Sequence, residues 1–335
     1  MSLARAETRR LFKRRFTSSI LIGVLLILGA VAAGTFLSNQ RVTETEIAAA
    51  QAEAQGYYQE AVRTATEDKQ KCQAAAGTPE AANYPPNCDD VWTPTPEEYD
   101  YTWYMPETFE LRAEFPDMIS VLAVVLAAAA FLVGASFVGS EWNSGGMMNL
   151  LLWRPRRLQV LGTKLAVLLG WFTGLTLALG ALWTGAFVLI AELRGSTEKM
   201  TSGVWQSFAL TGLRGLAMVV VAGALGFALA SLGRHTGMAL GALVGLGALQ
   251  IGVYMMASLA GAKYPDAWLA PVWGYVWMYK ELILEDYDSC NYSSSSGCVP
   301  DTFTMTWQAA GIGTAIVAAL VVGASVWAMR NRDIT

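Results

Sequence analysis

Residues 137–157 read FVGSEWNSGGMMNLLLWRPRR and separate two long apolar runs of the chain. The stretch turns at residues 144–146, continues as a short apolar segment, and ends in a basic cluster that Pro155 interrupts. Because glycine permits tight turns and proline ends a helix, we expect a short helix here. The flanking runs, 118–138 and 161–191, each have the roughly 20 apolar residues that a bilayer crossing needs. The stretch is therefore predicted to connect two transmembrane helices.

The overall composition is typical of a membrane protein. Of 335 residues, 54% are hydrophobic and 15% are charged, and the mean hydropathy is +0.37. The net charge is −4, and no basic run with interleaved aromatic residues indicates nucleic acid binding, apart from the short N-terminus. The single histidine, His235, excludes HExxH zinc sites and leaves little basis for Ser-His or Cys-His catalysis, so no enzymatic activity is expected.

The predicted fold class is an all-α integral membrane protein with six transmembrane helices. The spans are placed at residues 17–38, 118–138, 161–191, 210–232, 238–259 and 307–329. No span has a charge near its centre. Arg214, near the start of the fourth span, is either a functional intramembrane charge or a side chain that snorkels to the interface.

Basic residues indicate the orientation of these spans, since Lys and Arg are retained on the cytoplasmic side. They occur before the first span and after the second, fourth and sixth spans, and they are Arg5, Arg9, Arg10, Lys13, Arg14, Arg15, Arg154, Arg156, Arg157, Lys164, Arg234, Arg330 and Arg332. Both termini are therefore predicted to be cytoplasmic. The resulting segments are 1–16, 17–38, an extracellular segment 39–117, spans two to five within 118–259, an extracellular segment 260–306, and a last span with a cytoplasmic tail, 307–335.

Residues 1–16 are predicted to form a cytoplasmic interfacial helix. Residues 30–32 resemble a signal-peptide cleavage site, but the apolar run is long for a signal peptide and favours a retained helix. Leu3, Leu11 and Phe12, interleaved with basic residues, suit a helix that lies in the membrane surface. A simple positive-inside anchor is the alternative.

The extracellular segment 39–117 is strongly acidic. Residues 42–76 have a helix-favouring composition and are expected to continue the first span outward. Prolines and aromatic residues in 78–106 favour an irregular ordered loop. The acidic charge either attracts cationic ligands or only provides a solvated face.

All four cysteines lie in the segments that are predicted to be extracellular. Four cysteines allow three pairings. Local pairing, Cys72–Cys88 and Cys290–Cys298, is the simplest and suits an oxidising compartment. A zinc site is the alternative, but the sequence has no CxxC motif or nearby histidine to support it.

Residues 268–279, WLAPVWGYVWMY, are aromatic and too short and proline-broken to cross the bilayer. Aromatic residues concentrate at the membrane interface, and non-helical backbone at that depth is tolerated only against protein or a cavity. A re-entrant external hairpin before the last span, bordering the exit of a pathway, is predicted. Its residues are Trp268, Pro271, Trp273, Tyr275 and Trp277. An interfacial segment without a role in transport is the alternative.

The stretch 137–157 resembles the cytoplasmic loop between the second and third transmembrane helices of ABC-2 type transporter permeases. The pattern of that family is an acidic residue, a glycine pair, a leucine-rich turn, and a proline followed closely by arginine. The matching and adjoining residues here are Glu141, Gly145, Gly146, Leu150, Leu151, Leu152, Arg154, Pro155, Arg156 and Arg157. The short segment before the last span and the C-terminal residues Arg330, Arg332, Asp333 and Ile334 add to the resemblance, which extends over nearly the whole chain.

The resemblance implies a permease subunit of a bacterial ABC exporter that moves a lipid, drug or peptide across the plasma membrane. In the family, the loop, here residues 139–160 with its coupling helix, rests on an ATPase subunit. The sequence has no GxxxxGK[ST] motif, so ATP and Mg would be bound by a separate ATPase and no cofactor by this chain. The implied partners are ABC ATPase subunits, a second copy of the chain or a related permease, and membrane lipid.

Two alternatives stay open. A secondary transporter would usually have buried ionisable residues and broken helices at the midplane, and the sequence indicates neither. The other alternative is another polytopic membrane protein without an ATPase partner. For the loop itself, the alternative is a positive-inside connection whose arginines only fix the topology.

Overall fold

The computed structural model describes residues 3–153, 156–293 and 297–331, and about 80% of these residues are helical. The helices are α1 (Leu3–Lys13), α2 (Arg15–Ser38), α3 (Glu44–Ala75), α4 (Leu111–Asn143), α5 (Gly146–Trp153), α6 (Arg157–Arg194), α7 (Ser202–Gly233), α8 (Thr236–Leu259), α9 (Ala270–Tyr279) and α10 (Trp307–Asn331). The strands are β1 (Phe109–Glu110), β2 (Gly195–Ser196), β3 (Glu281–Ser293) and β4 (Gly297–Thr306).

Six of these helices, α2, α4, α6, α7, α8 and α10, are long and apolar enough to cross a membrane. Each of the six predicted spans lies within one of them, so the prediction of six long apolar helices is confirmed. The chain is therefore a multi-pass membrane protein with a mostly helical fold.

The chain forms two compact units. The first comprises the described parts of Met1–Val31, Arg112–Ala186 and Lys199–Thr335, and the second comprises Ala32–Leu111 and Phe187–Glu198.

Helices α4 and α7 pack so closely in the first unit that glycines of each helix lie against the backbone of the other. A Cβ atom added at Gly226 would lie 2.2 Å from the carbonyl oxygen of Phe131, and one added at Gly134 would lie 2.6 Å from that of Gly223. No larger side chain fits at such a contact, and small residues are what allow helices to approach closely in a membrane. Leu126 and Val133 of α4 are fully buried, so this helix forms much of the core of the first unit.

One end of the first unit gathers the start of α2, the end of α4 and the starts of α6 and α8. The Arg14 guanidinium lies 2.9 Å from the Glu141 carboxylate, and a Cβ atom at Gly139 would lie 2.4 Å from the backbone nitrogen of Thr236. The Arg234 guanidinium lies 5.2 Å from the ring centroid of Trp142. The connections that follow the second and fourth crossings therefore meet at the same end of this unit.

The opposite end of the first unit gathers α9 with the starts of α4 and α10. The Tyr279 hydroxyl and the Asp117 carboxylate are 2.6 Å apart, and the Trp307 backbone N–H donates to the Lys280 carbonyl at 2.7 Å. When successive helices run in opposite directions, alternate connections lie at opposite ends of the bundle. The two groups of contacts agree with this arrangement.

A β-hairpin lies between α9 and α10 and was not predicted. Strands β3 and β4 are antiparallel, with Glu281 paired to Thr306 and a register shift between Asp286 and Asn291. Cys290 and Cys298 form a disulfide with a Cα–Cα distance of 5.2 Å. The hairpin packs on a small core with α9 and α10, formed by Val276, Met305 and Ala310.

The second unit is organised around α3. Cys72 at its end forms a disulfide with Cys88, and the rings of Tyr57 and Tyr104 stack with centroids 5.3 Å apart. Four short 3-10 turns occupy Pro79–Asn83, Cys88–Asp90, Pro96–Tyr99 and Tyr101–Tyr104, in the region expected to be an irregular ordered loop. A short parallel pair, β1 with β2, completes the unit.

The expectation that α3 continues the first span was wrong. Residues 39–43 break the helix between Ser38 and Glu44. The Asn39 side-chain amide donates to the Thr35 carbonyl at 2.9 Å, and Thr43 with Glu46 forms a capping box that begins α3. A capping box satisfies two otherwise unpaired N–H groups, which explains a new helix start at this point.

Candidate functional site

The connection between α4 and α6 contains the short helix α5. The turn before it has Gly145 at φ +71°, a conformation that favours glycine, and the Gly145 N–H donates to the Trp142 carbonyl at 3.2 Å. Helix α5 begins at Gly146, and Met147 is fully buried. The short apolar segment of the sequence is therefore a helix that is anchored beside the end of α4.

The other predicted residues of this connection are distributed as follows. Leu151 is part of helix α5. Arg154 and Pro155 lie outside the described residues. Arg156 is exposed and precedes α6, and Arg157 is its first residue and half-buried. Glu141 is almost fully buried, 8% exposed, two residues before the end of α4.

Glu141 belongs to a buried cluster of ion pairs that joins α1, α4 and α6. The Lys164 ammonium group lies 2.7 Å from one carboxylate oxygen of Glu141 and 2.5 Å from Oε2 of Glu7. The Arg14 guanidinium lies 2.9 Å from the other oxygen of Glu141, and Arg10 lies 3.0 Å from the remaining oxygen of Glu7. Each carboxylate therefore has two basic partners.

The surroundings of this cluster exclude water from its centre. Glu7 and Lys164 are 0% exposed, and the Lys164 ammonium lies 4.8 Å from the ring centroid of Phe137. Arg14 also donates to the Ser136 carbonyl at 2.9 Å and to the Ser140 hydroxyl at 2.6 Å. Burial lowers the pKa of the Arg14 guanidinium, although arginine stays charged at any physiological pH.

The cluster can fix the position of α1 on the bundle. Buried charges are costly to separate, because removing one partner leaves the other unpaired in a medium of low dielectric. Helix α1, the end of α4 and the start of α6 should therefore move together. Sequence reasoning missed Glu7 and interpreted Lys164 only as a positive-inside residue, because the two are 157 positions apart in the chain.

The aromatic segment divides between a packed face and an exposed face. Trp273 and Trp277 lie against α10, since Cβ atoms added at Gly313 and Gly311 would overlap their rings. The Trp273 indole N–H donates to the Ala267 carbonyl at 2.7 Å.

The remaining predicted residues of this segment lie on its other side or at its start. Trp268 and Tyr275 are 57% and 47% exposed, and Pro271 is in the first turn of α9. The Tyr275 ring stacks on Tyr279 with centroids 4.3 Å apart.

Arg214 lies near this aromatic segment within the first unit. Its guanidinium lies 4.7 Å from the ring centroid of Trp307, and its backbone carbonyl accepts from the Trp277 indole N–H at 2.9 Å. Its buried Nη1 atom has no hydrogen-bond partner among the described residues. The side chain is therefore stabilised by an aromatic ring rather than by an acid.

An apolar cavity of about 460 Å³ lies between α4, α6 and α7. Phe115, Leu122, Gly180, Phe208 and Gly212 are among its lining residues. This volume falls within the range of small-molecule sites.

Three polar side chains of this cavity wall bond to backbone carbonyls and not to the cavity interior. The Thr176 hydroxyl donates to the Phe172 carbonyl at 2.7 Å, and the Thr184 hydroxyl donates to the Gly180 carbonyl at 2.8 Å. The Trp183 indole N–H donates to the Met118 carbonyl at 2.9 Å. The wall therefore suits an apolar guest. Sequence reasoning missed it because none of its residues forms a motif.

Within the described ranges, no three His, Cys, Asp or Glu side chains are grouped to hold a metal ion. Comparison of the sequence with protein-family models gives no match, and comparison with curated proteins gives none either.

Proposed function

We propose that this chain is the transmembrane permease subunit of an ATP-driven ABC exporter in a bacterial plasma membrane. The observation that carries the proposal is the α4–α5–α6 connection, where the ABC-2 pattern of acid, glycine pair and leucine turn coincides with a short anchored helix. Energy comes from a separate ATPase subunit on which this connection rests.

The buried cluster supports a coupling role for the connection. Glu141, the acid of the pattern, is paired with Lys164 of α6 and Arg14 beside α1. A displacement of α5 by the ATPase is transmitted through these pairs to the ends of three helices, because breaking them would leave buried charges unpaired. A connection whose arginines only fixed topology would not need a buried acid with two basic partners.

The apolar cavity supports a hydrophobic or amphiphilic substrate. Its wall offers no free polar group from Thr176, Trp183 or Thr184, so an acyl chain or other apolar moiety can enter without stripping hydrogen bonds. The charge distribution assigns both termini and the α4–α6 connection to the cytoplasm. The disulfides then face the oxidising exterior.

The buried ionisable residues also favour a second candidate, a secondary transporter driven by an ion gradient. Glu7, Glu141 and Lys164 are buried as in such transporters. Glu141 lies two residues from the end of α4, however, and Glu7 lies in α1, outside the six long apolar helices, whereas coupling sites lie near the midplane. Each of these carboxylates is also paired twice. We therefore favour the ATP-driven function.

The test is purification of the full chain from its own cells in mild detergent, followed by an ATPase assay of the complex. We expect a co-purifying subunit that carries the GxxxxGK[ST] motif and hydrolyses ATP. The double variant Arg156→Glu, Arg157→Glu should still insert into the membrane. Its substrate-stimulated ATPase activity should be at least about tenfold lower, which corresponds to about 1.4 kcal/mol of lost coupling.

The matched control is Arg5→Glu with Arg330→Glu, which makes the same charge change at exposed positions outside the connection. This control should retain full ATPase activity. Normal coupling in the Arg156/Arg157 variant would contradict the coupling role. Transport that collapses with the ion gradient at constant ATP would instead identify the secondary transporter.

A further inference from the structure

A second cavity, of about 430 Å³, lies between α1 and the turn from α4 to α5. It is separate from the apolar cavity and has a strongly basic lining. Its lining residues are Arg9, Arg10, Lys13, Arg14, Glu141 and Gly146.

The charge of this basic cavity is not balanced by the residues around it. Glu141 is already paired with Arg14 and Lys164, and Arg10 is paired with Glu7. Among the residues that the structure describes, Arg9 and Lys13 have no ion-pair partner, and both are exposed. The cavity therefore keeps an excess of positive charge that can attract an anion.

Part of the cavity is fixed in place before any ligand arrives. Arg14 is held by Glu141, Ser136 and Ser140, and Arg10 by Glu7. Side chains that are ordered in advance lose less entropy when they bind a ligand. Gly146, the first residue of α5, adds the positive end of a helix dipole to the same wall.

The basic cavity lies along the bundle at the level of the lipid headgroups. Arg14 directly precedes the membrane-spanning helix α2, and Glu141 is two residues from the end of α4. The Phe12 ring packs edge-on against Trp171 with centroids 4.1 Å apart, which keeps an apolar edge of α1 next to α6. Arginine and lysine at this level are the groups that recognise phosphate in anionic lipids.

We propose that this basic cavity is a binding site for a phosphate-type oxyanion, and that its occupant is the headgroup of an anionic phospholipid. Arg9 and Lys13 supply the charge that selects the anion, and Arg10 and Arg14 supply fixed donors. The site is independent of the exporter function, since binding needs only this chain and a bilayer lipid.

The test uses the purified full chain in non-ionic detergent without an ATPase. Phosphatidylglycerol and phosphatidylcholine with identical acyl chains are titrated separately, and binding is followed by native mass spectrometry and by the shift in Tm. We expect saturable binding of phosphatidylglycerol and none above background for phosphatidylcholine. Arg9→Gln with Lys13→Gln should weaken phosphatidylglycerol binding at least about tenfold, since bonds to charged groups contribute that much.

The matched control is Arg5→Gln with Arg15→Gln, which removes two exposed positive charges from the same part of the chain without touching the cavity. It should bind phosphatidylglycerol as the unaltered chain does. An equal loss in both variants would overturn the proposal, because the attraction would then be diffuse. Unchanged binding in the Arg9/Lys13 variant would also overturn it.

A third arm identifies the source of the anion. Inorganic phosphate at millimolar concentration should not displace phosphatidylglycerol if the lipid is the occupant, because the acyl chains add affinity. Displacement by phosphate that depends on Arg9 and Lys13 would uphold the oxyanion site and overturn the lipid as its occupant. The single variants Arg9→Gln and Lys13→Gln, both at exposed positions, repeat the comparison if the double variant unfolds.

Discussion

The ammonium group of Lys164 lies 2.5 Å from the carboxylate of Glu7, and neither residue is exposed to solvent. The pair joins the N-terminal helix α1 to α6 across 157 positions of sequence. Because Lys164 also binds Glu141, this one side chain connects three helices.

Lys164→Met should destabilise the protein because it leaves two buried carboxylates with one basic partner each. Breaking a buried ion pair costs about 3–5 kcal/mol, and the remaining partners Arg10 and Arg14 place the expected loss near about 3 kcal/mol. The free energy of unfolding can be measured by SDS titration in mixed micelles with tryptophan fluorescence as the signal.

The control for this variant is Arg10→Gln, whose side chain is 50% exposed in its pair with Glu7. The buried Glu7 carboxylate keeps Lys164 as a partner in this variant, so the loss should be clearly smaller than in Lys164→Met. In the double variant Glu7→Gln with Lys164→Met, the loss should be smaller than the sum of the single losses. Additive losses would mean that the two side chains do not interact.

Leucine at Gly180 or Gly212 should fill the apolar cavity. Both glycines line it, and a Cβ atom at either would meet no atom within 4 Å. A photoactivatable phospholipid with a diazirine in its acyl chain should label α6 and α7 in the unaltered protein. We expect severalfold weaker labelling in Gly180→Leu and Gly212→Leu, measured by mass spectrometry of the peptides.

Gly174→Leu is the control for the cavity. Gly174 also lies in α6 with open space at its Cβ position, but it does not line the cavity. Its labelling should match that of the unaltered chain. Equal labelling in all three leucine variants would exclude the cavity as an acyl-chain site.

Trp273→Ala should loosen the contact between α9 and α10. The ring lies against Gly313, and its N–H group bonds to the Ala267 carbonyl. Truncating a packed tryptophan costs about 3–5 kcal/mol, and partial exposure reduces this to about 2–3 kcal/mol. The measurement is the Tm of each variant in a thermal scan. Trp268→Ala, at a position that is 57% exposed, should lower Tm far less than Trp273→Ala.

The ion pair between Lys263 and Asp301 should make the ordering of the β-hairpin depend on pH. Their charged groups are 2.7 Å apart, and the bond to Lys263 lowers the pKa of Asp301 below its ordinary 3.8, whereas Asp301 raises the pKa of Lys263 above 10.5. The aspartate contribution is therefore present above about pH 4 and is lost as pH falls through its lowered pKa. The lysine contribution is lost only as pH rises through its raised pKa.

Hydrogen exchange of β4, corrected for intrinsic rates, measures this dependence. Protection should fall as pH decreases below about 4 in the unaltered chain, and the fall should be small because both side chains are exposed. Asp301→Asn should have lower protection above about pH 4, similar protection at lower pH where the pair is lost in both proteins, and therefore a flatter profile. An identical profile in both proteins would show that the pair does not order the hairpin.

The long helices were predictable from the sequence because their signal is composition alone. Every apolar run of about 20 residues became part of a helix, since a chain in a bilayer must satisfy its backbone groups internally. The start of α3 was also readable, because Thr43 and Glu46 have the spacing of a capping box. Its separation from α2 was missed because helix-favouring composition does not report a break.

The β-hairpin was missed because its two strands were assigned only to the extracellular segment 260–306, without secondary structure. Residues 302–306, TFTMT, alternate threonine with large apolar residues, which is a strand signal. The acidic residues of β3 hid the matching pattern in the partner strand. Contacts between α9 and the hairpin, such as Val276 with Met305, follow only from the tertiary structure.

The candidate site was predictable only where its residues are close in sequence. Glu141 and the glycine pair form a local motif, so their neighbourhood could be expected. Glu7 is a single acid in a basic helix, and nothing local indicates that it pairs with Lys164. The cavities depend on side chains from three helices, a relationship that hydrophobic periodicity does not encode.

The contact between Glu7 and Lys164 also has a consequence for the order of assembly. A ribosome adds about 5–20 residues per second, so the 157 positions between the two residues take roughly 8–30 s to synthesise. During that interval α1 has no Lys164 to bind, and Glu7 has only Arg10 of its own helix as a partner. The contact between α1 and α6 is therefore a late event in biogenesis, because it can form only after Lys164 has been synthesised.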